Sequence, residues 1–203
     1  MQPVTIIEGV AAALMRENID TDVIIPSREI TSPAREGYGP KLFAPWRYLA
    51  PGGTEDPDFV LNREPWRSAS ILITGANFGC GSSREMAVWA LAQFGFRALI
   101  APGFGSIFRT NCLRNGLLPV VLPASAVAAL GALAAAAPLT LTVDLLACEV
   151  RAQGGERWPF EIDIHERETL LTGLDAIDRT WQLRSDIEAF EAADRAARPW
   201  VWR

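Results

Sequence analysis

The densest chemical signal in the chain is the run Asn77-Phe78-Gly79-Cys80-Gly81-Ser82-Ser83-Arg84-Glu85. Gly79 and Gly81 let the backbone turn sharply, and the free amides of a following helix's first turn point into such a loop, where they favour an anion. No Gly-Lys-Ser/Thr follows, so this is not a phosphate loop, and Arg84 stands where the third glycine of a dinucleotide fingerprint belongs. Arg84 offers a planar fork of donors that matches a carboxylate bidentately, and Ser82 and Ser83 set two hydroxyls beside it. A small carboxylic acid suits that set. Ser82-x-x-Glu85 is equally a capping box, in which both side chains only satisfy a helix end.

Elsewhere the chain is poor in metal-binding side chains. Its 203 residues hold one histidine, His165, and three cysteines, Cys80, Cys112 and Cys148, none at metal-ligand spacing and none forming a disulfide framework. His165 opens a helical stretch and reads as a surface or satisfied residue and not as a ligand. A net charge of −5 argues against nucleic acid, whose phosphates need a basic face. The longest mainly apolar stretch, Leu117 to Pro138, is broken by Pro119, Pro123 and Ser125, so it reads as strand, turn and helix and not as a membrane span. The start carries no basic segment ahead of an apolar one, and the cysteines are unpaired, which together predict a cytoplasmic protein.

The elements that must position the loop follow from periodicity. Ser70–Thr74 and Arg97–Ala101 are apolar runs of buried-strand type, each followed by a glycine loop and a helix, Ser83–Phe94 and Ser106–Asn115. Gly116 stops the second helix ahead of a third strand, Leu117–Leu122. Strands separated by helices imply parallel βαβ crossovers, hence an α/β fold with a parallel core. Ahead of it lies a turn-rich region with short strands at Val4–Val10 and Val23–Ile25 and a long loop, Ser27 to Phe43, of functional rather than low-complexity composition. After it come a helix at Ser125–Ala137, strands at Leu139–Leu145 and Trp158–Ile164 with a hairpin across Gly154-Gly155, and helices at Thr169–Gln182 and Ser185–Ala197, the last with a Ser-Asp cap. No repeat or linker divides the 203 residues, which predicts one domain.

The serine-arginine run, followed by Trp89-Ala90-Leu91, Gly95-Phe96, Ile100-Ala101-Pro102, Ile107-Phe108, Asn111 and Gly116-Leu117-Leu118-Pro119, resembles the family of 3-isopropylmalate dehydratase small subunits, the separate swivelling domain of the aconitase superfamily. Asn18-Ile19-Asp20-Thr21-Asp22-Val23-Ile24-Ile25-Pro26 resembles that family's opening signature, and Pro57-Asp58-Phe59-Val60-Leu61-Asn62 its next block. The resemblance implies a swivelling β/β/α domain spanning residues 1–203, with a C-terminal helical extension. It implies a hydro-lyase that isomerises 2-isopropylmalate to 3-isopropylmalate through isopropylmaleate in leucine biosynthesis, inactive without a larger partner subunit. By the same resemblance Ser82 is the base that removes a proton beside the departing hydroxyl, Ser83 and Arg84 hold substrate oxygens, and Asp22, Gly79 and Gly81 support the site. A [4Fe-4S] cluster is implied on the large subunit, with no cofactor or metal bound by this chain, whose three scattered cysteines lack the ligand spacing.

A serine alkoxide does not persist unaided at neutral pH, so such a base needs preorganised amides and a nearby cation, each donor contributing roughly 3 kcal/mol or ~100-fold in rate. Three departures bear on the implied activity. Met86 and Val88 replace a usual histidine and proline after the motif, and Ser106 replaces a usual aspartate. In the loop after Pro26, where the family senses the substrate's alkyl group, Glu29-Ile30 replaces an aromatic-leucine pair. An unpaired carboxylate facing an isopropyl group would be strongly disfavoured. Either Glu29 faces water, or the substrate is another substituted malate, such as 2-methylmalate (through citraconate) or the homoaconitate type. A third reading is a non-catalytic carboxylate-binding module, which the missing motif histidine favours.

Overall fold

In the computed structural model, which describes residues 1–82 and 84–202, the strands are β1 (Ile6–Leu14), β2 (Ile71–Thr74), β3 (Ala98–Ala101), β4 (Leu118–Val121), β5 (Leu139–Asp144), β6 (Glu149–Ala152) and β7 (Arg157–Pro159). They form one mixed sheet in the order β4-β3-β2-β1-β5-β6-β7. β1 to β4 run parallel, with Ala11 opposite Ile71, Ile71 opposite Ala98 and Ala98 opposite Leu118. β5 returns antiparallel to β1, and β6 and β7 continue as antiparallel neighbours. The helices are α1 (Thr21–Ile24), α2 (Ala44–Arg47), α3 (Glu85–Phe94), α4 (Ser106–Arg114), α5 (Ala124–Ala136), α6 (Ile164–Thr172), α7 (Ala176–Trp181) and α8 (Arg184–Ala197). The predicted α/β class with a parallel βαβ core and an N-terminal strand-and-loop region is the fold observed.

Two cores explain why β2 is apolar up to Thr74 and β3 is apolar throughout. Successive side chains of a strand point to opposite faces, and here both faces are covered. Ile71, Ile73, Ala98 and Ile100 face Val127, Leu130 and Ala134 of α5 together with Leu141, Val143 and Leu170. Leu72 and Leu99 face the other way, toward Ala87, Val88 and Leu91 of α3, Phe108 and Cys112 of α4, and Tyr38, Leu42, Phe43 and Leu61 of the N-terminal loop region. The long loop is thereby part of the second core and not a surface appendage.

Several boundaries differ from those expected, each for a local reason. Val23–Ile25 is not a strand: Asp20 accepts the Val23 N–H at 2.8 Å and caps the single turn α1, so the buried pair Ile24-Ile25 ends a helix. β1 runs on to Leu14 because Ala11 to Leu14 pair with Ile71 to Thr74 of β2, while β5 covers its first half, Ile6 to Ala11. The hairpin across Gly154-Gly155 joins β6, which the pattern missed, to β7. The stretch Trp158–Ile164 yields only the end of β7, since Asp163 accepts the N–H groups of His165 and Glu166 and starts α6. The helix expected over Thr169–Gln182 breaks at Gly173, which is left-handed at φ 71°, and restarts at Asp175 with a capping box. α8 begins at Arg184 after Leu183, with no side-chain cap.

Candidate active site

Loops 15–20, 75–82 and 102–105 leave the C-terminal ends of the neighbouring parallel strands β1, β2 and β3, where open α/β sheets gather their ligand groups. Backbone pairing continues beyond the strands and ties the loops together. Asn18 N–H donates to the Ala76 carbonyl at 2.9 Å, Gly79 N–H to Ile19 at 2.7 Å, Phe78 N–H to Gly103 at 3.2 Å and Gly105 N–H to Phe78 at 2.9 Å. Asn18 and Asn77 are both left-handed, at φ 54° and 59°, and the Asn77 amide donates to Asn18 Oδ1 at 2.8 Å. Gly79 has φ 74°, and a Cβ built on it would lie 2.2 Å from the Phe108 ring, so the loop packs against α4 only because a side chain is missing there. Gly81, at φ 83°, is the other expected support and makes the turn into Ser82.

Ser82 is exposed, and among the described residues its hydroxyl has no hydrogen-bond partner. The capping box open to Ser82 and Glu85 does not form. α3 starts at Glu85, two residues later than expected, with Arg84 at the cap position and no side-chain cap, and the Glu85 carboxylate accepts from Asn115 Nδ2 at 3.1 Å. Ser83 lies outside the described residues.

Arg84 and Asp22, 62 residues apart in the chain, meet at 2.5 Å between Nη1 and Oδ1. The same Nη1 donates to the Ile25 carbonyl at 3.1 Å, and Asp22 Oδ1 also accepts from the Ser27 hydroxyl at 3.3 Å. Arg84 is the more enclosed partner, with 17% of its side chain exposed against 55% for Asp22. Among the described residues Nε and Nη2 make no hydrogen bond, so one corner of the guanidinium is anchored and the opposite edge is left to take a carboxylate through two parallel bonds. Sequence reasoning missed Ser27 and the Ile25 carbonyl; a backbone acceptor carries no signature in residue type.

Glu29 ends a single 3-10 turn, Ser27–Glu29. Its side chain is neither fully in water nor unpaired: it is 23% exposed, with Oε1 3.6 Å from Arg28 Nε. Lys41 Nζ donates to the Glu29 carbonyl at 2.6 Å and to Thr31 Oγ1 at 3.0 Å, which ties the two arms of the loop together. Ile30 packs, partly buried, against the second core. Of the departures after the motif, Val88 is fully buried and Met86 packs against the same core, so both fill apolar space.

The cysteines do not come together. Cys112 is buried, and burial pushes its thiol well above the ordinary range; Cys80 and Cys148 are half-buried, and all three are free. Among the described residues no three His, Cys, Asp or Glu side chains converge in a way that could hold a metal, and this donor set does not fit an iron–sulfur cluster. His165 is exposed in the first turn of α6.

The comparisons with known proteins agree with one another. The family model described as the aconitase C-terminal domain matches residues 1–125, and a second, LeuD_N, matches residues 129–163. The chain is 56% identical to the 3-isopropylmalate dehydratase small subunit of Cupriavidus necator over 99% of this chain and 98% of that one. It is 47% identical to the protein of the same name from Polaromonas naphthalenivorans (strain CJ2), over 99% and 97%. Among solved structures it is similar to the 3-isopropylmalate dehydratase LeuD of Methanocaldococcus jannaschii, with a TM-score of 0.66 and 26% identity over 92% of this chain and 99% of that one.

Proposed function

This chain belongs to the family of 3-isopropylmalate dehydratase small subunits, and from that membership we infer that it is the small half of a hydro-lyase interconverting 2- and 3-isopropylmalate through isopropylmaleate, in leucine biosynthesis. The observation that carries the site reading is the Arg84 guanidinium, anchored at one corner by Asp22 and the Ile25 carbonyl, two residues along the chain from an exposed Ser82 whose hydroxyl has no hydrogen-bond partner among the described residues. Arg84 and Ser83 bind a carboxylate of the substrate, and the anchoring of the Arg84 fork lowers the entropy cost of orienting it. Ser82 takes the proton from the carbon next to the hydroxyl-bearing one. The Arg84 cation lowers the cost of negative charge on the serine oxygen. Gly79 and Gly81 hold the loop, and Glu29 and Ile30 belong to the loop that senses the substrate's alkyl group.

A site this open has to be completed from outside the chain. The partner is a large subunit, which would carry the [4Fe-4S] cluster; bound there, the cluster would supply the Lewis acid for departure of the hydroxyl. Residues 1–203 move over it as one swivelling unit with α7 and α8 as an extension; α8 has no buried residue. No helix among the described residues is long and apolar enough to cross a membrane, and three free cysteines suit a reducing cytoplasm.

A specific observation favours a second substrate reading. Glu29 keeps its charge pair with Arg28 where the family has an aromatic residue, which fits a substituent other than isopropyl on the malate. The test is reconstitution with the large subunit and assay on 2-isopropylmalate beside 2-methylmalate and homocitrate. Turnover is expected from the complex and from neither subunit alone, and Ser82→Ala is expected to abolish it while the subunits still associate. Activity of the isolated chain, or a normal rate with Ser82→Ala, refutes the reading.

A further inference from the structure

Thr21, the first residue of α1, is 1% exposed and grips the serine loop twice. Its N–H donates to the Cys80 carbonyl at 3.0 Å and its hydroxyl to the Ser82 carbonyl at 2.6 Å. Gly81, a freely rotating glycine at φ 83°, lies between those two carbonyls. Thr21 is itself held, because the Ile25 N–H closes the turn on its carbonyl at 2.9 Å and Asp20 caps the same turn.

We propose that Thr21 is a positioning residue of the reaction, whose buried hydroxyl fixes the Ser82 peptide and with it the direction in which the Ser82 side chain leaves the loop. The inference rests on the reading of Ser82 as the base. A peptide plane held at its oxygen fixes ψ of the residue that owns it, and the Cys80 anchor confines the chain from the other side. Only χ1 of Ser82 is then left to set. Among the described residues nothing bonds its hydroxyl, so its aim depends on the backbone that sets its Cβ. Threonine suits the task because its branched Cβ restricts χ1 and a buried hydroxyl keeps its one good acceptor.

The test uses the reconstituted two-subunit enzyme. Thr21→Val preserves shape and removes the donor. It is expected to lower kcat by about 10- to 100-fold, the scale for a lost buried hydrogen bond and a reactive group displaced by about 1 Å, with KM changed by less than about threefold. Thr21→Ser restores the donor and is expected to recover most of kcat. Should Thr21→Val fail to assemble, Thr21→Ala against Thr21→Ser gives the same contrast. A kcat that does not follow the hydroxyl, or a loss confined to KM or to assembly, overturns the proposal. Absence of turnover by the native complex on any substituted malate overturns the functional reading and this inference together; turnover with an unimpaired Thr21→Val overturns this inference alone.

Discussion

Exchanging Arg84 for lysine separates the fork from the charge. One nitrogen of the guanidinium already serves Asp22 at 2.5 Å and the Ile25 carbonyl at 3.1 Å, while Nε and Nη2 form the edge open to substrate. A lysine ammonium is a single point at the end of its stem, so it can keep the Asp22 contact or reach the substrate carboxylate but cannot reproduce both with the same geometry. What is lost is a bidentate, charge-assisted pair. Hydrogen bonds to charged groups contribute about 1.5–3 kcal/mol each, and the retained positive charge preserves part of that, so the net loss is about 1.5–3 kcal/mol, or roughly 10- to 150-fold in kcat/KM. Because the carboxylate is bound in ground and transition states alike, most of the change falls on KM. The assay is initial rates of the reconstituted complex over a range of 2-isopropylmalate concentrations. A KM within about threefold of the native value refutes the argument and removes Arg84 from the substrate's contacts.

Gly79→Ala is expected to lower the Tm of this chain by about 5–15 °C. It forces alanine into φ 74° and drives a Cβ to 2.2 Å from a 3%-exposed Phe108, a combined cost of about 2–5 kcal/mol. Phe108→Ala in the same chain relieves the clash, so differential scanning calorimetry should find the two losses less than additive; strict additivity would contradict the packing argument. A further expectation concerns pH. The Glu166 and His165 amides hold the Asp163 carboxylate below its usual range, so its contribution to α6 is present above the unfolded aspartate pKa of about 4 and is lost as pH falls through the lower folded value. The Tm gap between the native chain and Asp163→Ala should therefore be constant near neutrality and close below about pH 4; a gap that persists in acid would contradict the cap.

Much of the fold was legible because burial on both faces leaves a plain trace. The apolar runs at 71–74 and 98–101 and the glycines after them are what a doubly covered parallel strand and its loop require. The misread segments are those where a local hydrogen bond outweighed the pattern. Asp20 turned an isoleucine-rich run into α1, and Asp163 and Asp175 started helices inside stretches that periodicity read as strand or as continuous helix. Capping acts through one side chain and two amides, too little to alter hydrophobic periodicity.

For the candidate site, residue type and order were enough to name a carboxylate fork, two hydroxyls and the glycines that let a loop present them, because those properties belong to the side chains themselves. Contact is a different matter. That Asp22 meets Arg84, that the Ile25 carbonyl shares its Nη1, and that Thr21 holds the Ser82 carbonyl from 61 residues away all depend on β1 and β2 lying side by side in parallel register. Hydrogen bonds between distant segments, and above all those to backbone carbonyls, are fixed by strand pairing and leave no mark in either segment alone. The sequence determined which groups the site has to work with, and the sheet decided which corner of Arg84 is anchored and which edge is free.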